Sequence, residues 1–78
     1  MILRKLSESE AAELIISILE ETRKPLTTRE IEEKTRKMMV SCPDKTPVFL
    51  NKLRLEGIIH GQLSAERRGW IWWIKREG

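Results

Sequence analysis

Side chains that commonly take part in chemistry are scarce in this 78-residue chain, which has one His, one Cys and no Tyr. His60 and Cys42 are far apart in sequence and supply only two of the four ligands that a structural zinc site needs. A catalytic cleft would also need polar groups that converge in a sizeable apolar pocket. We therefore expect no enzyme activity, no metal and no cofactor.

Basic side chains are more informative, because they are unevenly placed. Residues 1–40 carry eight basic and eight acidic side chains, whereas residues 41–78 carry seven basic and four acidic ones. The formal net charge of +3 therefore lies entirely in the second half. For any single charge a solvated surface is the simpler interpretation. Together, however, the basic residues form a pattern that attracts phosphate.

Length and cysteine content limit the class of protein. A chain of this size is expected to form one domain, residues 1–78, and to use most of its apolar residues in its core. The single Cys42 excludes an internal disulfide framework, and the N-terminus lacks a signal-peptide pattern, so we expect a cytoplasmic protein. No apolar run approaches the roughly 18 residues of a membrane span, so we expect no membrane contact.

Two helices are predicted from capping boxes. Ser7 with Glu10, followed by apolar residues at helical spacing, predicts a helix over residues 9–22, which ends before Pro25. Thr27 or Thr28, with Glu30, opens a second helix that runs to about residue 38.

The second helix has a thin apolar face. It is expected to bury Ile31, the methyl group of Thr35 and one or both of Met38 and Met39. The methionines are most simply interpreted as core residues.

A third helix follows the turn at residues 40–43. Asp44 is its expected N-cap, so the helix starts near Lys45 and holds Pro47 in its first turn, where a missing N–H does no harm. Three residues form its buried stripe, and Gly57 should end it in a left-handed conformation. The stripe consists of Phe49, Leu50 and Leu53.

A β-hairpin is predicted after Gly57. Its strands cover residues 58–63 and 70–75, and the loop of residues 64–69 places Gly69 where a positive φ is often needed. A third strand would stabilise the hairpin, and either Leu26 or residues 1–3 can supply it.

Tryptophans dominate the second strand of the hairpin. Alternation puts Trp70, Trp72 and Ile74 on one face and Ile71 and Trp73 on the other. We expect Trp70, Trp72 and Ile74 to close the core. Ile71 and Trp73 then form a candidate interaction surface, for which we favour contact with a second subunit.

The order of these elements resembles the winged helix-turn-helix domains of small prokaryotic, archaeal-like transcription regulators. The resemblance covers residues 8–75, and its most specific part is a Leu, three residues, Gly57 and two aliphatic residues before the wing. It implies an α+β fold with three helices and a C-terminal β-hairpin wing.

The resemblance also implies a function and a set of contacts. In such domains the third helix enters the major groove of DNA and the wing contacts the backbone or the minor groove. The implied partner is double-stranded DNA, bound by a minimal transcription regulator that can act as a homodimer. Carried over by position, the contacts fall on helix three at Lys45, Thr46, Asn51 and Lys52, and on the wing at Arg67 and Arg68.

An alternative is a winged helix that serves as a protein-interaction module within a larger complex. Pro47 and Val48 place apolar groups at the groove-facing start of helix three, where many family members have polar or basic side chains. Leu55, Ile71 and Trp73 are further outward apolar residues. Binding of duplex DNA that weakens as salt rises would favour the first interpretation.

Overall fold

The structure is a computed structural model that describes residues 2–75. Predictions that involve Met1 and residues 76–78 lie outside the described residues. Within them three helices and five strands occur, so the predicted α+β class is confirmed. In chain order they are β1 (Arg4–Lys5), α1 (Glu8–Thr22), β2 (Leu26–Thr27), α2 (Thr28–Lys37), β3 (Val40–Ser41), α3 (Thr46–Leu55), β4 (His60–Ser64) and β5 (Gly69–Trp73).

The C-terminal hairpin is the centre of a three-stranded antiparallel sheet with the order β2-β5-β4. Trp72 lies in the middle strand, opposite Leu26 on one side and Gly61 on the other. Of the two predicted sources of a third strand, Leu26 is therefore the correct one. The N-terminal segment instead forms a separate parallel pair, in which Arg4 lies opposite Val40.

Helix α1 begins one residue earlier than predicted and has the expected capping box. The Ser7 hydroxyl accepts from the Glu10 N–H at 3.2 Å, and the Glu10 carboxylate accepts from the Ser7 N–H at 3.0 Å. The helix ends at Thr22, and its C-cap, Arg23, adopts a left-handed φ of 60°. Its buried face consists of Ala11, Ile15, Ile18 and Leu19.

Helix α2 is capped by Thr27 and buries Ile31 and Thr35, as predicted. The expectation that Met38 or Met39 is a core residue is wrong, because they are 49% and 44% exposed. Both lie beyond the last helical turn, and Met39 takes a φ of 63°, which turns the chain into β3. Helical periodicity therefore no longer applies to them.

Helix α3 buries Phe49, Leu50 and Leu53, and Gly57 follows it with a φ of 78°, as predicted. The prediction of Asp44 as its N-cap is wrong. Lys45 occupies the cap position, and no side chain makes the cap hydrogen bond. The helix therefore starts one residue later than expected, with Pro47 in its first turn.

The hairpin differs from its prediction in its bounds, because its strands cover residues 60–64 and 69–73 instead of 58–63 and 70–75. Gly69 belongs to β5, and Arg68 instead takes the positive φ, 58°. The Ser64 hydroxyl accepts a hydrogen bond from the Arg67 N–H at 3.1 Å, which closes the loop from its start. The loop between the strands therefore consists of residues 65–68 alone.

The core lies between the helices and one face of the sheet, with Trp72 as its largest fully buried side chain. The Trp72 indole N–H donates to the Thr28 hydroxyl at 2.9 Å, which satisfies the one polar group of this ring. Trp70 does not close the core as expected, since it is 37% exposed and covers Trp72 in a stack with 5.3 Å between ring centroids.

Candidate nucleic-acid interface

Four of the predicted contact residues lie on helix α3 or at its N-cap, and two of them already have partners. Asn51 accepts from the Arg54 Nε at 3.0 Å, and Thr46 is half-buried. Lys52 forms an ion pair with Glu8 on α1, which raises the pKa of the Lys52 ammonium. Lys45 is exposed and has no ion pair among residues 2–75.

The β4–β5 loop carries the other two predicted contact residues. The Arg67 guanidinium donates to Glu30 Oε1 at 2.6 Å. Arg68 is exposed, and it takes part in no ion pair within the described part of the chain. Among the predicted contact residues, Lys45 and Arg68 are therefore the most available to bind a ligand.

A cleft of about 410 Å³ separates this loop from the start of α2. We call it the arginine cleft, because three arginine side chains line it together with the polar start of α2 and one tryptophan. Its lining residues are Thr27, Thr28, Arg29, Arg67, Arg68, Gly69 and Trp70. The guanidinium group is suited to phosphate, which it can bind through two parallel hydrogen bonds.

Sequence reasoning missed Arg29 as a member of this group. It lies 38 positions before Arg67 in the sequence, inside what looks only like a capping signature. Pairing of β2 with β5, with Thr27 opposite Ile71, brings the start of α2 beside the hairpin. The predicted Leu26 strand was the one signal that could have revealed this proximity.

Two of the three cleft arginines are paired with carboxylates. Arg67 meets Glu30 at 2.6 Å, and the Arg29 Nε lies 3.7 Å from Glu33 one helical turn away. These carboxylates reduce the positive charge of the cleft, and of its three arginines only Arg68 has no ion pair among residues 2–75. Hydrogen bonds from Thr27, followed by the charge and hydrogen bond of Arg67, hold the pKa of Glu30 below its ordinary value.

The opposite face of the sheet carries a second feature, an apolar groove of about 350 Å³. Ile71 and Trp73 lie on this face, as alternation predicts, but both are half-buried rather than exposed. The His60 ring stacks on Trp73 at 5.8 Å between centroids. The groove is lined by Leu19, Arg23, Lys24, Pro25, Gln62, Ile71, Trp73 and Ile74.

Other kinds of site have little structural support in the described range. Among residues 2–75, no group of three or more His, Cys, Asp or Glu side chains is placed to hold a metal ion. Burial raises the pKa of the Cys42 thiol, which disfavours the reactive thiolate. No helix in the same range is long and apolar enough to cross a membrane.

No protein-family model, curated protein or solved structure matches this chain. The winged-helix resemblance and the contacts it implies therefore stay predictions. The ligand of this chain therefore has to be inferred from its own side chains.

Proposed function

We propose that this chain binds double-stranded DNA as a winged-helix protein and acts as a minimal transcription regulator. The arginine cleft is the observation that carries the proposal. It places Arg29, Arg67 and Arg68 around one concave surface next to the start of a helix. Guanidinium groups at such a surface favour phosphate over neutral partners.

The arrangement of elements supports the same proposal. Helix α3 precedes an antiparallel hairpin, and the exposed side chains at its start include Lys45 at the N-cap and Val48 in the first turn. A helix of this kind can enter the major groove, where an apolar side chain such as Val48 can meet a thymine methyl group. The arginine cleft then lies against the phosphate backbone.

The proposed affinity is modest and strongly dependent on salt. If Lys45 and the three cleft arginines each neutralise one phosphate, the slope of log K against log salt is about −3 to −4. Binding should therefore be measurable at low salt and much weaker at physiological salt.

Titration of a fluorescently labelled 20-base-pair duplex at several salt concentrations tests the proposal. The variant Arg68→Gln should weaken binding and reduce the salt slope by about one, because it removes one phosphate contact. Lys24→Gln is the matched control, since it removes one exposed positive charge at the apolar groove instead. Binding that is insensitive to salt, or equal losses in both variants, would rule out the proposed surface.

A second candidate function is a protein-interaction module, and the apolar groove favours it. Ile71 and Trp73 are half-buried in the groove, and Leu55 on α3 is exposed. Two results together would favour this function over DNA binding. The unmodified chain would bind no duplex at low salt, and the variant Trp73→Gln would lose a protein partner that the unmodified chain captures from its source cell.

A further inference from the structure

We propose that the Glu30 carboxylate occupies the place of a phosphate in the arginine cleft, and that a phosphate oxygen displaces it from Arg67. The ligand class is a phosphate group, supplied by a nucleic-acid backbone. That source depends on the proposed function, whereas the cleft itself can be tested without DNA. Glu30 thereby acts as an internal competitor that limits how tightly the wing binds.

The geometry of Glu30 is that of an anion bound in a site. A single oxygen, Oε1, accepts from the Thr27 N–H at 2.9 Å, from the Thr27 hydroxyl at 3.1 Å and from the Arg67 guanidinium at 2.6 Å. A phosphate oxygen accepts from the same kinds of donor, so the two anions are alternatives for Arg67. The side chains of Arg67 and Glu30 are 45% and 39% exposed, so a ligand can reach the pair from solvent.

Arg67 can leave Glu30 without disturbing helix α2. The bonds between Glu30 and Thr27 form the capping box of that helix, and none of them involves Arg67. Exchange of the carboxylate for a phosphate therefore breaks one partly exposed ion pair and leaves the fold intact. Such pairs are weak, so phosphate has only a small preference to overcome.

The remaining arginines give an incoming phosphate its first contacts. Arg68 carries no carboxylate partner within residues 2–75. Arg29 lies 3.7 Å from Glu33, and both side chains are largely exposed at 89% and 58%, so this pair also yields readily. Phosphate held by Arg29 and Arg68 is then next to Arg67.

Our proposal predicts that loss of the Glu30–Arg67 pair strengthens DNA binding, whereas a purely structural role for the pair predicts weaker binding. The pair joins α2 to the β4–β5 loop across 37 positions of sequence. If its role were to fix the loop for binding, its removal would loosen the loop and weaken the complex. The sign of the change in affinity therefore separates the two roles.

The first experiment uses Glu30→Gln, which keeps the capping box because glutamine also serves at that position. We expect this variant to bind the duplex about two- to fivefold more tightly, the range that corresponds to loss of one exposed ion pair. Glu13→Gln is the control, since it removes an equal charge from an exposed position on α1. Thermal unfolding of each variant confirms that the fold is retained.

A double-mutant cycle assigns the gain to Arg67. In the Arg67→Gln background, the change Glu30→Gln should give no gain beyond that of Glu13→Gln, because no guanidinium remains to be released. The proposal is overturned if Glu30→Gln binds no more tightly than Glu13→Gln, or if its gain persists without Arg67.

The second experiment tests the cleft with inorganic pyrophosphate in place of DNA. The Arg67 Nε–Hε resonance should shift on titration, and at a lower concentration in Glu30→Gln than in the unmodified chain. If pyrophosphate shifts it but duplex does not bind, the phosphate cleft stands and the DNA proposal fails. If duplex binds, but the affinities for duplex and for pyrophosphate are unchanged in Glu30→Gln, the DNA proposal stands and this inference fails. If neither ligand binds, both fail.

Discussion

At the residue scale, Gly61 leaves the space that the Trp72 ring occupies. Gly61 lies opposite Trp72 in the sheet, and a Cβ at this position would be 2.5 Å from two ring atoms, Cε3 and Cζ3, of that indole. Trp72 is fully buried and its N–H is tied to Thr28, so the ring has little freedom to move away. The glycine is therefore required by packing rather than by backbone conformation.

We accordingly predict that Gly61→Ala lowers the free energy of unfolding by about 1–3 kcal/mol, the usual effect of overpacking a core. Urea denaturation followed by tryptophan fluorescence measures it. Gly69→Ala in the neighbouring strand is the control, because a Cβ there meets nothing within 4 Å. An equally large loss in both variants would show that the Trp72 contact is not the cause.

At the element scale, local signals predicted the helices well and the connections poorly. The capping boxes at Ser7 and Thr27 work within four residues, so the sequence alone reveals them. The predictions for Asp44 and Gly69 were wrong by one residue each. The N-cap is Lys45, and the positive φ occurs at Arg68. Such shifts depend on how the flanking elements pack, which no local pattern contains.

The candidate site shows the same division. Arg67 and Arg68 were predictable as loop cations, since charge and a nearby glycine mark an exposed hairpin tip. The approach of Arg29 to them was not, because it results from the pairing of β2 with β5. Nor does any sequence pattern reveal that Glu30 and Glu8 hold Arg67 and Lys52.

The two capping boxes also make stability depend on pH. Hydrogen bonds from Ser7 and Thr27 lower the pKa of Glu10 and Glu30 from the ordinary value of 4.5. A lowered folded-state pKa means that the unfolded chain binds more protons, so this stabilisation is present above the ordinary pKa and disappears as pH falls through the folded-state pKa.

We therefore predict that the melting temperature decreases as pH is lowered from about 5 to 3, and that Glu30→Gln reduces this decrease, because glutamine keeps the cap but does not titrate. Melting followed by circular dichroism at several pH values tests it. Glu13→Gln, which removes an equal charge outside the capping boxes, is the control. An unaltered slope in Glu30→Gln would contradict the assignment.

At the scale of the whole molecule, limited charge and the apolar groove lead to one expectation. A net charge of +3, with several basic residues already paired, gives one chain few phosphate contacts. The proposed DNA surface includes the β4–β5 loop, whereas Ile71 and Trp73 lie on the sheet face that carries the groove. A second copy that contacts the groove would double the phosphate contacts.

We predict that two chains bind one duplex, with a salt slope about twice that of a single chain. Sedimentation of the complex gives the number of chains, and the duplex titration gives the slope. Trp73→Gln should reduce both to the values of one chain, because it places an amide in the apolar contact. Leu63→Gln is the control, since Leu63 is exposed on the other face of the sheet, paired with Trp70. A single chain per duplex, with a slope that Trp73→Gln leaves unchanged, would show that the groove has no part in DNA binding.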